Sequence, residues 1–280
     1  MKQFSQWLLS ALLSLGLATQ VAATPLRAAA PAEAAKPQPA VEQQGQTPVG
    51  NNMIMFASAA DAETAVQPQP KGKLIYIDPG HGSSDVGAVH KDPDGQAELL
   101  ERDVALDVAQ QLADMLRREG YDVALTRTGE NRPLPNGSQG ADLQARVDMA
   151  NKANADLLIS VHFNGLDNKN TRGTEVWYCS DRPFSGDNER LATLVQESLV
   201  RNLRDAGYDT VDRGIKDDAK MGHFAVNGPH ISRPSQMPGI IGEPLFMTND
   251  EDATQLKRPE VRTALAKGYF EGVKAYFESA

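Results

Sequence analysis

Two apolar runs in this chain lack the alternation of a half-exposed strand: Leu74-Ile75-Tyr76-Ile77 and Leu157-Leu158-Ile159-Ser160-Val161. Strand-forming residues without a polar face belong inside a sheet that is covered on both sides. Each run ends abruptly. The first stops at Asp78-Pro79-Gly80-His81-Gly82, where Pro and Gly end an extended segment, and the second stops at His162, with Asn164 close behind. In an open α/β sheet, ligands bind in the crevice beyond the carboxyl ends of the strands. Both runs therefore deliver a histidine to the place where such a fold does chemistry.

Strand-like and helix-like runs alternate through the rest. Val104, Val108, Leu112 and Met115 or Leu116 recur at helical spacing, Gly120 closes that helix, and Tyr121 to Thr126 alternates like a strand. A polar stretch from Gly129 to Gly140 reads as a surface loop. Leu143, Val147 and Ala150 carry a second helix, with Asp142 and Asp148 expected to face outwards. Thr174 to Cys179 reads as a strand, and Leu191 to Leu203 as a helix ended by Gly207. Gly239 to Glu243 reads as a last buried strand, and Arg258 to Phe277 as a closing helix. The segment from Tyr208 to Pro238 has few regular cues and reads as a loop framing the site or as a connection. This alternation argues for a three-layer α/β domain.

The first 23 residues have the pattern of an export signal: Lys2, an apolar core from Trp7 to Leu17, and small residues at Val21-Ala22-Ala23. That core is shorter than the about 20 residues a permanent anchor needs, and no cysteine stands near the cleavage point for a lipid. Residues 24–72, rich in Ala, Pro, Gln and Glu, read as a flexible tether with one small apolar patch at Met53-Ile54-Met55-Phe56. Residues 73–280 then form one catalytic-sized domain. A formal net charge of −9 argues against a nucleic-acid partner. The single cysteine, Cys179, cannot form an internal disulfide and reads as a buried strand residue rather than a nucleophile.

A third strand end presents Glu243, and Glu101 stands between the two histidine strands just before a helix. Burying an unpaired carboxylate is costly, so Glu243 must face a cleft, a cation or a metal. Two imidazoles and one carboxylate form an open ligand set for catalytic zinc, with one position left for water. A second carboxylate outside that set can serve as general base.

Over Lys73 to about Phe277 the chain resembles the zinc-dependent N-acetylmuramoyl-L-alanine amidases of bacterial cell-wall turnover. The resemblance runs through Ile77-Asp78-Pro79-Gly80-His81-Gly82 with Asp85-Val86-Gly87-Ala88, Glu101 to Leu106, Leu125-Thr126-Arg127, Arg146 with Ala150-Asn151, and Ser160-Val161-His162-Phe163-Asn164. It continues through Gly173 to Val176, Arg213-Gly214-Ile215-Lys216 and Glu243 to Asn249. It implies a twisted, mostly parallel sheet with helices on both faces. It also implies one zinc ion held by His81, Glu101 and His162, Glu243 as the catalytic carboxylate, and peptidoglycan as substrate, cut between N-acetylmuramic acid and L-alanine. The protein would act outside the cytoplasm, in the periplasm or cell envelope, and an activating protein partner is left open. The chain departs from the family pattern at Ser83 and Leu245, where glycine is common.

Glu98 competes with Glu101 as ligand, but only Glu101 carries the basic residue and helix start of the family. His90, His223 and His230 match nothing in the family and are expected in loops. The stretch from Ala219 to Pro238 is expected to form one wall of the cleft. No long helical insertion stands between Tyr178 and Glu189, where some relatives carry an inhibitory helix, so the site is expected to be open. The competing readings are a zinc peptidase cutting within the stem peptide and a non-catalytic wall-binding module on the same fold.

Overall fold

A computed structural model describes residues 69–218 and 231–279. The export segment, the tether up to residue 68, the Met53 to Phe56 patch, His223 and His230 lie outside the described residues. Both apolar runs are strands: β1 (Leu74–Pro79) and β5 (Leu157–Val161), side by side and parallel, with Ile77 opposite Ile159. β5 is buried along its whole length. β4 (Asp122–Leu125) flanks β1, and β8 (Gly239–Pro244) flanks β5, both parallel to their neighbours. Beyond β8 the direction reverses. β6 (Thr174–Tyr178) pairs antiparallel with β8, and β7 (Asp212–Asp217) runs parallel to β6 at the edge. The six-stranded order is β4-β1-β5-β8-β6-β7.

Three long helices cover one face: α1 (Glu101–Arg118), α3 (Ser185–Asp205) and α5 (Pro259–Glu278). Their apolar stripes meet Ile75, Ile77, Ile159, Val176 and Ile240 in the main core. On the other face α2 (Gln139–Lys152) packs Ala150 against Tyr76 and Leu158. The result is the three-layer, mostly parallel α/β domain that the alternation implied. No helix among the described residues is long and apolar enough to cross a membrane.

Several local expectations change. The stretch between β1 and α1 contains a small antiparallel pair, β2 (Val89–Lys91) and β3 (Ala97–Leu100), so His90 stands on a strand rather than in a loop. The segment taken as loop after α3 contains β7, and a short helix, α4 (Asp250–Leu256), precedes α5. Asp142 is buried rather than outward. It lies one helical turn before Arg146, and its Oδ2 accepts from Arg146 Nε at 2.8 Å. β6 joins α3 through residues 179–184 without a further helix. Cys179 is buried there, and burial pushes its thiol up to about 12.

Candidate metal centre

The turn after β1 is held by two buried arginines. Arg146 pairs with Asp78 at 2.8 Å and also donates to the carbonyls of Pro79 and His81. Arg127 donates to the carbonyls of Pro79, Gly80 and Arg102. Burial alone would raise the Asp78 carboxyl. Arg146 and hydrogen bonds from Thr126 and Ser160 outweigh it and hold the group below its ordinary value. Breaking one member of such a buried ionic cluster is costly, so it fixes the turn firmly. His81 itself takes a left-handed φ of 61°.

Three predicted ligands converge here. Glu101, the first residue of α1, is buried, and its Oε1 lies 3.0 Å from His81 Nε2 and 3.0 Å from His162 Nδ1. The same oxygen accepts from the Phe163 amide at 3.0 Å, and Oε2 accepts from the Ala88 amide at 2.7 Å. One donor atom from each of His81, Glu101 and His162 lies within 4.8 Å of the others. The glycines of the first motif make room for this. A Cβ on Gly80 would stand 2.3 Å from the His162 ring, and one on Gly87 would stand 2.4 Å from Glu101 Oε2. Glu98 is elsewhere, paired with Lys257 and 3.5 Å from His90.

Asp85 orients the first imidazole. His81 Nδ1 lies 2.9 Å from Asp85 Oδ1, which leaves Nε2 for the centre, an arrangement common to metal-binding histidines. Burial works to lower the His81 pKa, but Glu101 and Asp85 raise it to about 10. Burial works to raise Glu101, and the two imidazoles hold it well below the carboxylate range. The carboxylates around His81 thus favour positive charge at the centre, which a bound cation would supply. A tetrahedral ion with bonds of about 2.0–2.1 Å needs donors slightly more than 3 Å apart. Glu101 Oε1 lies 3.0 Å from a nitrogen of each ring, near that separation, and two imidazoles with one carboxylate are zinc-type donors.

Glu243 stands at the end of β8, beside the centre: the His162 amide donates to the Gly242 carbonyl at 3.0 Å. Its Oε2 is buried with no hydrogen-bond partner among the described residues. Burial first, then the charges of Glu101 and Glu175, push its pKa well above the ordinary value. The sequence did not single out Glu175 or Asp85 as individuals. Glu175 lies opposite Glu243 in the β6–β8 register, and Asp85 carries the His81 contact.

An α/β domain with this donor set, and with a buried carboxylate oxygen at its strand ends that has no partner among the described residues, has the build of a metal-assisted hydrolase. A family profile described as N-acetylmuramoyl-L-alanine amidase (Amidase_3) matches residues 75–275. The chain belongs to that family of cell-wall hydrolases. The germination-specific N-acetylmuramoyl-L-alanine amidase of Bacillus subtilis (strain 168) is 32% identical over 212 residues, covering 74% of this chain and 80% of that protein. The crystal structure of an N-acetylmuramoyl-L-alanine amidase from Clostridium difficile 630 matches with TM-score 0.59 and 28% identity, over 74% of this chain and 97% of that one. The CwlD amidase of Clostridioides difficile, solved in complex with the GerS lipoprotein, shares the fold at TM-score 0.62. It is 22% identical over 74% of this chain and 100% of that one.

Proposed function

We propose that the protein hydrolyses the amide between N-acetylmuramic acid and L-alanine in peptidoglycan, with zinc held by His81, Glu101 and His162 and with Glu243 as the catalytic carboxylate. The observation that supports this most directly is the buried, unpartnered Glu243 oxygen beside a three-donor centre. Zinc bound there would polarise the scissile carbonyl and lower the pKa of a water towards about 7. Glu243 takes the proton of the attacking water and passes it to the leaving alanine nitrogen. Its surroundings favour the protonated form, which suits a group that must hold a proton between those two transfers. Glu101 and the Asp85–His81 pair keep the imidazoles aimed, so little rearrangement accompanies the reaction. Residues 1–23 act as the export signal and 24–72 as a tether, so that the domain from 73 to 280 works in the periplasm or cell envelope.

Digestion of purified cell walls tests this reading. The enzyme should free L-alanine amino termini and leave peptide-free glycan, and a chelator should abolish both. Glu243→Gln should keep its metal and lose activity about 100- to 10,000-fold, whereas His162→Ala should lose metal and activity together. Equal metal loss in the two variants would show that the roles are wrongly assigned. Cleavage inside the stem would make it a peptidase, and wall binding without products would make it a binding module.

A further inference from the structure

Arg213 belongs to a motif that the hydrolysis does not use. It lies on β7, two strands across the sheet from Glu243. In a regular strand Arg213 and Lys216 would point to opposite faces. The β6–β7 register slips here: the step from Thr174 to Val176 faces the step from Asp212 to Ile215. Gly214, at the slip, takes a φ of 70°, a left-handed value that glycine adopts at no steric cost. This extra residue is a β-bulge, and such bulges re-aim side chains near active sites. It turns Arg213 towards Glu175 and leaves Lys216 opposite Trp177, on the same face.

The Arg213 guanidinium is held at its inner edge and across one side. Its Nε donates to Glu175 Oε2 at 2.6 Å, and its centre lies 5.1 Å from the Phe246 ring centroid. Glu175 is buried, and its other oxygen accepts from Asn164 Nδ2 at 2.7 Å and Trp177 Nε1 at 3.1 Å. These bonds leave the two terminal Nη groups without a hydrogen-bond partner among the described residues, on a side chain that is 30% exposed. A guanidinium fixed in this way presents two parallel N–H donors that match a carboxylate; a primary amide has one acceptor oxygen and no charge.

Two strand spacings of about 4.8 Å separate β7 from β8, and an extended peptide advances about 3.3 Å per residue. A substrate cut beside Glu243 would therefore reach Arg213 two to three residues beyond the scissile bond. In a chain of net charge −9, and near Glu101, Glu175 and Glu243, an anionic peptide needs a cation to hold it. We propose that Arg213, oriented by Glu175 and joined by Lys216, forms a carboxylate subsite reading an anionic group on the second or third residue of the stem peptide. This rests on the amidase reading above and deepens it.

Four soluble muramoyl peptides test the subsite. The second residue carries a free α-carboxylate or its primary amide, and the third carries or lacks a side-chain carboxylate. The wild-type enzyme should favour a carboxylate at one of these positions by about 10- to 100-fold in kcat/KM, the range for a hydrogen bond to a charged group. The responsive position identifies the residue that is read. Arg213→Gln should collapse that ratio towards one, chiefly through KM, and Lys216→Gln should reduce it by less. A wild-type enzyme that treats all four alike overturns the subsite while the amidase reading stands, and so does an Arg213→Gln enzyme that keeps the wild-type ratio. The wild-type ratio decides the matter even if Arg213→Gln fails to fold. Hydrolysis of none of the four overturns both readings.

Discussion

Glu101 is buried and Glu243 half-buried, both carboxylates at element ends, and their surroundings drive them apart. Two imidazoles hold the Glu101 pKa down, while burial and two other carboxylates raise that of Glu243. Such a divergence would let the proposed ligand and the proposed proton carrier be the same residue type. The two departures from the family pattern also become concrete at this scale. Ser83 and Leu245 adopt φ of 54° and 76°, values suited to the glycine common there. Each costs roughly 1–2 kcal/mol in a non-glycine residue. Leu245 is fully buried in the main core, and that packing offsets its strain. Asp218 offers a test of burial away from the centre. It is buried against Cys179, and desolvation raises its carboxyl to about 7. The folded state therefore holds a proton that the unfolded chain releases near 4. Stability from this group is complete below about pH 4 and is lost as pH rises through 7. Thermal melts of Asp218→Asn should match the wild type at pH 4 and exceed it by about 2 °C or more at pH 8. An equal difference at both pH values would show that the carboxyl does not titrate in this window.

At the scale of elements, the long helices and the buried strands could be read because their apolar residues repeat over many positions. β5 and β8 announce themselves by unbroken apolar runs, and α1, α3 and α5 by helical spacing. β2 and β3 are too short and too exposed to carry a period. β7 alternates charge with a glycine bulge at the sheet edge, so its Asp-Arg-Gly-Ile-Lys-Asp sequence resembles a loop. The burial of Asp142 was hidden for another reason: a charged residue turns inward only when its partner, here Arg146, is itself buried. His81, His162, Glu101 and Glu243 were legible because each stands beside a recognisable end. Asp85 and Glu175 were not, since their roles depend on contacts made across the fold. Helix packing gives a prediction of its own. A Cβ on Gly272 of α5 would stand 2.6 Å from Val195 Cα of α3, a backbone atom that cannot swing aside. Overpacking costs about 1–3 kcal/mol, occasionally more, and a backbone clash falls at the upper end. Replacing a helical glycine by alanine otherwise gains about 1 kcal/mol. Gly272→Ala should therefore lower the melting temperature. Gly186→Ala, in the first turn of α3 with nothing within 4 Å, should raise it slightly. A rise in both would mean that the two helices can separate at no cost.

At the scale of the whole molecule, every strand of the sheet and every helix of the core among the described residues falls between Leu74 and Glu278. The chain enters this body at Lys71, whose amide donates to the Gly120 carbonyl at 2.9 Å and whose Nζ pairs with Glu119 at 3.0 Å. Among the described residues, the main core gathers side chains from Ile75 to Tyr276. A chain beginning at residue 69 should melt within about 1 °C of the full chain and keep its kcat/KM on soluble muramoyl peptides. A chain beginning at residue 80 lacks β1, whose Ile75 and Ile77 are fully buried between β4 and β5. Two such deletions from a core cost several kcal/mol each, against a whole-domain stability of about 5–15 kcal/mol. That chain should not fold. A marked drop in the melting temperature of the chain from residue 69 would show that the N-terminal segment packs on the domain. Met53-Ile54-Met55-Phe56 would be the first residues to replace in locating that contact, because this is the apolar cluster in the otherwise polar, Ala- and Pro-rich sequence of residues 24–72.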